Sequence, residues 1–211
     1  MGSLKSLKSV LAAGIGLIAL FAIAMQFILS WFTLEISGAE YIVRFFSYFT
    51  ILSNVLVMLC CCCIVFSSKS RLGRWITKPA SMTAITLYIL VVGIIYNGIL
   101  RFLLDLHGMM QVVDELLHVV IPLSFFLYWW FLVDKRGITW NQVLYWMVFP
   151  LIYLLYTLCH GAYSDFYPYP FVNVTDLGIE RVLINSLGVT FVFLIVGLLL
   201  IAMGKWQTRA T

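Results

Sequence analysis

The chain has 211 residues, of which 63% are hydrophobic and only 10% charged, and its mean hydropathy is +1.04. A water-soluble domain of this length cannot cover itself with so little polar surface, so the composition excludes a soluble fold and makes lipid the solvent. The net charge of +4 comes from basic residues dispersed over loops, which argues against nucleic acid and names anionic lipid headgroups as partners.

Hydrocarbon offers backbone polar groups no partner except one another, so only helices or a closed barrel can cross it. The apolar runs here are continuous over roughly 20 residues and lack the alternation of a barrel strand. The sequence therefore predicts an all-α polytopic membrane protein, a single domain over residues 1–211. Its six transmembrane helices are expected at Val10–Phe32, Phe45–Phe66, Pro79–Leu100, Val112–Val133, Trp140–Cys159 and Arg181–Met203.

The first span follows Lys5 and Lys8 as a signal peptide would. It is too long for a cleaved apolar region and has no Ala-x-Ala exit, so it reads as a retained anchor. The second carries Ser47, Thr50, Ser53 and Asn54 in its first turns. Ser47, Thr50 and Asn54 fall at i, i+3 and i+7, which places them on one face. The run Cys60–Cys63 near its far end reads as small packing residues, with palmitoylation an option only in a eukaryotic host. The third span leaves with Asn97 and Arg101 at i, i+4. The fourth enters with Asp114, Glu115 and His118, spaced so that both carboxylates can approach the imidazole. The fifth exits with His160, and Tyr167–Phe171, with Pro168 and Pro170, follows as a stiff loop that serves as connector or lid. Asn173-Val174-Thr175 has the pattern of a glycosylation sequon close to the membrane. The sixth span enters with Arg181 and Asn185, again at i, i+4.

Charge orients these spans. Lys5, Lys8, Lys69, Arg71, Arg74, Lys78, Lys135, Arg136, Lys205 and Arg209 fall on one side and only Arg44, Arg101 and Arg181 on the other, ten against three. The positive-inside rule then puts both termini in the cytoplasm. Glu35, Glu40, Asp105, Asp114, Glu115, Asp165, Asp176 and Glu180 collect outside. A bacterial inner membrane is preferred to the endoplasmic reticulum as host. Trp31, Tyr41, Trp129, Trp130, Trp140, Tyr145 and Tyr167 lie near the expected interfaces as belt residues.

Polar groups inside spans are costly, and here they share a depth. At 1.5 Å per residue, Thr50 and His118 each lie roughly 8–9 Å below the outer edge of their spans. Ordinary interhelical hydrogen bonding explains any of them singly. Their convergence on one layer points to a polar chamber in the outer half of the bundle.

Tyr48-Phe49-Thr50-Ile51-Leu52-Ser53-Asn54, Leu117-His118-Val119-Val120-Ile121-Pro122, and His160 followed by Tyr167-Pro168-Tyr169-Pro170-Phe171 resemble, in order and placement, the androgen-induced protein family. The likeness runs span for span along essentially the whole chain and is closest to a bacterial branch of integral membrane proteins. Animal members are six-helix intramembrane threonine hydrolases that cleave fatty acid esters of hydroxy fatty acids. The resemblance implies Thr50 as nucleophile, His118 as catalytic histidine and His160 as a supporting group. The interval from His118 to Pro122 is a residue shorter than in the animal proteins. Sliding the second helix by one turn would put Ser47 in the nucleophile's place, so both hydroxyls stay open.

The chemistry fits those residue types. A threonine hydroxyl needs a base to take its proton, and His118 is the natural one. Asp114 or Glu115 can orient the imidazole. Asn54, Asn97 or Asn185 can donate to an oxyanion, and Arg101 or Arg181 can hold a substrate carboxylate. The expected partner is a lipid or fatty-acyl ester, and no cofactor or metal is expected. Two rivals stand beside this reading. One is a His/carboxylate metal site built from Asp114, Glu115, His118 and His160. The other is a small transporter or lipid-binding protein using Asp114, Glu115 and His118 as a proton relay.

Overall fold

A computed structural model describes residues 2–32, 36–66 and 69–209, with side chains from Lys5 onward. Glu35, expected among the outer acidic residues, lies outside the described residues. The described residues are mostly helical, with no strand among them. In order come α1 (Gly2–Trp31), α2 (Gly38–Phe46), α3 (Phe49–Phe66), α4 (Arg71–Ile76), α5 (Pro79–Gly98), α6 (Met109–Glu115) and α7 (Ile121–Leu132). They are followed by α8 (Gln142–Trp146), α9 (Val148–Ser164), α10 (Val174–Leu177) and α11 (Ile179–Arg209).

Among the described residues six stretches are long and apolar enough to cross a membrane: Lys5–Trp31, Phe49–Phe66, Pro79–Gly98, Met109–Leu132, Gln142–Ser164 and Ile179–Arg209. Their outward faces carry exposed Leu17, Leu123, Leu155, Leu187 and Phe191, which only a hydrocarbon surrounding tolerates at this density.

Small residues set the tightest contact. Ala12, Ile15, Ala19 and Ala22 are buried along one stripe of α1, and α1 lies against α3. A Cβ on Gly16 would meet Cys61 Cβ at 3.0 Å. Cys60, Cys61 and Cys63 are buried while Cys62 is exposed, so three members of the cysteine run are packing residues. The most buried of the six spans is α5, which meets α3, α7 and α11. Its Pro79 stands in the first turn, where no N–H is needed. Deeper in, Trp129 Nε1 donates to Thr83 Oγ1 at 2.8 Å, satisfying the indole where no water reaches it.

A second group of helices is spaced by rings. Phe49 meets Phe149, Tyr153 and Phe193 at centroid distances of 5.4, 5.0 and 5.7 Å, and Tyr88 meets Phe149 at 5.0 Å. Such bulky contacts hold α9 away from α3 and α5, and α11 away from α3, and leave room between them.

The second span departs from expectation. It begins at Phe49, and Phe45 belongs to the separate helix α2. Contacts from α9 hold the break: Tyr156 Oη lies 2.7 Å from Ser47 Oγ and Tyr153 Oη donates to Ser47 O at 2.8 Å, while Ser47 Oγ also donates back to Val43 O in α2 at 2.7 Å. The fifth span reaches Ser164, so His160 lies within α9 and not at its exit.

Candidate active site

The site starts from a proline. Pro122 has no N–H, so the carbonyls one turn earlier lose their usual donor. The chain answers with a π-helical bulge over Leu116–Val120, closed by Ile121 N–H donating to Leu116 O. Bulges of this kind leave carbonyls that other groups must satisfy. Asn54 Nδ2 donates to Leu117 O at 3.3 Å and to Thr50 O at 2.9 Å. Asn97 Nδ2 reaches His118 O at 3.4 Å and Gly93 O at 2.8 Å. Gly93 permits the approach, since a Cβ there would stand 3.1 Å from His118 O and 3.4 Å from Pro122 Cβ. Helices α3 and α5 thus clamp the bulge from two sides.

His118 projects from the middle of that bulge. Its Nε2 lies 3.3 Å from Thr50 Oγ1. Its Nδ1 lies 2.9 Å from Asp114 O and 3.1 Å from Asp114 Oδ1. Two acceptors at Nδ1 assign the ring proton there, leaving Nε2 as the acceptor facing the hydroxyl. The Tyr96 ring stacks on the imidazole with centroids 3.9 Å apart and planes 15° from parallel, which fixes its orientation. Asp114 is 8% exposed, so its charge acts on the imidazole with little screening.

Thr50 is the second residue of α3, so its N–H has no intrahelical acceptor. That N–H donates to Tyr169 Oη at 3.1 Å, and the same phenol lies 3.3 Å from Thr50 Oγ1. Burial pushes the Tyr169 phenol up to about 12. His118 stands nine residues beyond Met109, roughly 14 Å along its helix. Thr50 lies level with His118 although it is only the second residue of α3, which begins at Phe49. The equal depth read from hydropathy therefore rests on unequal positions along the two helices.

Two cavities meet at Thr50 and Tyr169. The larger, about 490 Å³, is lined by Arg44, Tyr48, Leu100, Met110, Asp114 and His118 among others. The smaller, about 90 Å³, lies in the ring-spaced gap and is lined by Val91, Val92, Leu151, Val189 and Phe193. Thr50, Leu100 and Tyr169 belong to both walls.

Several residues expected at the site have other work. Ser47 is fully buried, sits on the helix break and turns to Tyr156, so it does not share a face with Thr50. The two amide hydrogens of Asn54 go to carbonyls, as do those of Asn97, and Asn185 Nδ2 donates to Phe171 O at 2.9 Å. These three secure backbone and do not aim at Thr50 Oγ1. Glu115 leaves Asp114 alone beside the imidazole, because its oxygens receive Arg101 Nη1 and Nη2 at 2.5 and 2.7 Å. The guanidinium of Arg101, its proton held above the ordinary arginine value by that pair, is matched within the protein instead of being held for a substrate. Arg181 is exposed and lines neither cavity. His160 contacts Ser164 Oγ at 3.3 Å and stacks on Tyr156, supporting the loop and not the imidazole. Among the described residues no three His, Cys, Asp or Glu side chains come together as metal ligands.

Three side chains at the site escaped the sequence reading. Tyr96 precedes Asn97 by one position and gave no periodic signal. Arg44 reads in the sequence only as charge, yet it lines the larger cavity. Tyr169 stood in the Tyr-Pro-Tyr-Pro loop, whose stiffness was legible although its target was not. Comparison with family models, with curated proteins and with solved structures finds no match for this chain.

Proposed function

We propose that the protein is an intramembrane hydrolase of lipid esters, with Thr50 as nucleophile, His118 as general base and Asp114 as the carboxylate that orients it. The observation that carries this reading is the contact of 3.3 Å between Thr50 Oγ1 and His118 Nε2, continued at 3.1 Å from Nδ1 to Asp114. A hydroxyl, an imidazole and a carboxylate in that order are what nucleophilic acyl transfer requires, and such contacts are often loose before substrate binds. His118 takes the Thr50 proton as Oγ1 attacks the ester carbonyl, then returns it to the departing alkoxide. Water repeats the sequence on the acyl-threonine.

The paired cavities suit an ester between two apolar limbs, one in each cavity with the ester at Thr50. The motif resemblance to the androgen-induced protein family supports the same chemistry. By the charge bias of the loops, the site opens toward the outer leaflet and both termini face the cytoplasm. A bacterial inner membrane is the proposed host. Against transport, the interior beyond the site is filled by Val57, Ile89, Phe125 and Trp129, all without exposure.

The test is turnover of a panel of fluorogenic fatty-acyl esters by the purified protein in detergent. Thr50→Ala and His118→Ala should each abolish it, Ser47→Ala should retain it, and a phosphonate probe should label Thr50. Wild-type turnover in both Thr50→Ala and His118→Ala would refute the assignment.

A further inference from the structure

An acyl transfer through Thr50 places negative charge on the ester oxygen, and something must receive it. The amides of Asn54, Asn97 and Asn185 are committed to backbone carbonyls, and Arg101 is committed to Glu115. Beside Thr50 Oγ1 two donors are better placed: the Tyr169 O–H at 3.3 Å from Oγ1 and the Thr50 N–H, which now points at Tyr169 Oη across 3.1 Å.

We propose that Tyr169 is a catalytic residue, its hydroxyl and the Thr50 backbone N–H together forming the oxyanion hole; this rests on the hydrolase reading above. In the resting site the N–H is parked on the phenol oxygen. An incoming carbonyl oxygen replaces that acceptor and receives both hydrogens. As Oγ1 bonds to the carbonyl carbon, its proton goes to His118 Nε2 and the C=O π pair moves onto the oxygen between the two donors. When the pair returns, the bond to the alcohol oxygen breaks and His118 gives that oxygen its proton. No other reactant is required.

The phenol is built for this role. The Tyr169 ring is stacked on Phe171 at 5.3 Å with planes 4° apart, and Tyr48 meets it edge-on at 5.8 Å. Pro168 and Pro170 restrict the backbone on both sides. A donor fixed before reaction stabilises charge without reorganising at the moment the charge forms. Tyr169 also stands where the two cavities join, the position an ester with a limb in each must occupy.

The test uses Tyr169→Phe, which keeps the stacked ring and removes only the hydroxyl. Its kcat should fall on the order of 10²–10³-fold, with KM changed much less. Each ester is paired with its thionoester, whose sulfur is a poor acceptor. Wild type should prefer the oxygen ester strongly, and Tyr169→Phe should lose most of that preference, which a merely structural role would not move. Tyr128→Phe serves as control, since it removes a buried phenol from a residue that lines neither cavity. It should leave kcat and the oxygen-to-sulfur ratio unchanged. An unaltered ratio in Tyr169→Phe, with Thr50→Ala inactive, would overturn the oxyanion assignment and leave the hydrolase standing. Absence of turnover by wild type would overturn both.

Discussion

Replacing Asn54 by leucine separates two roles that the side chain can have. The volume is nearly conserved, but the two donations to Thr50 O and Leu117 O disappear. Thr50 O keeps a helical N–H one turn later, whereas Leu117 O faces a bulge whose next residues offer none: Ile121 N–H is used on Leu116 O and Pro122 has no hydrogen. One carbonyl is therefore orphaned in an apolar interior. That costs about 1–3 kcal/mol. Asn54 Oδ1 is itself buried without a partner, and its removal offsets part of the loss. The net expectation is about 1–2 kcal/mol of destabilisation. Because both amide hydrogens of Asn54 are held on carbonyls, the proposed oxyanion hole does not use it, and kcat should fall less than about tenfold. Unfolding in detergent, followed by intrinsic fluorescence, gives the first quantity and ester turnover the second. A kcat loss of on the order of 10²-fold or more with unchanged stability would refute this reasoning and return Asn54 to the oxyanion.

Gly161→Ala would put a Cβ 2.1 Å from Tyr167 Cε1 and 2.3 Å from its Cζ, so that ring and the loop bearing Tyr169 must shift; kcat should drop about 10²-fold, the usual result of a displacement near 1 Å, and wild-type kcat would refute it. Asp114→Asn removes the charge that stabilises the imidazolium but leaves Asp114 O at 2.9 Å on Nδ1. The ring keeps its tautomer, so kcat should fall about 10–10²-fold and not the ~10⁴ seen when the tautomer is lost. Lys135→Met should leave kcat alone and cost about 1–3 kcal/mol in the same unfolding assay. Its Nζ donates to Trp129 O, Trp130 O and Val133 O at 2.8, 2.7 and 2.9 Å, closing the end of α7.

Hydropathy located all six spans because lipid requires continuous apolar surface, and no tertiary contact can override that demand. Boundaries were less legible. The break between Phe46 and Phe49 has no Gly or Pro to announce it, and it follows from tyrosines on α9 that bond Ser47 from more than a hundred positions away. Spacing brought Asp114, Glu115 and His118 to one face but could not say that Arg101 would draw Glu115 aside. In the same way, amide side chains inside spans gave notice that something needed donors. The acceptors became clear only when Pro122 and its bulge were seen to free Leu117 O and His118 O.

The bulge also bears on which length changes the chain can tolerate. It is one residue more than an α-helix would use, and each residue turns the helix by about 100°. Deleting Val119 or Val120 would shorten the segment toward regular helix. Everything before the deletion would then swing relative to everything after it, and the imidazole and the carboxylate beside it could no longer face α3 while Pro122 kept its place. Apolar side chains can replace one another beside His118, but on the proposed chemistry the number of residues between His118 and Pro122 cannot change.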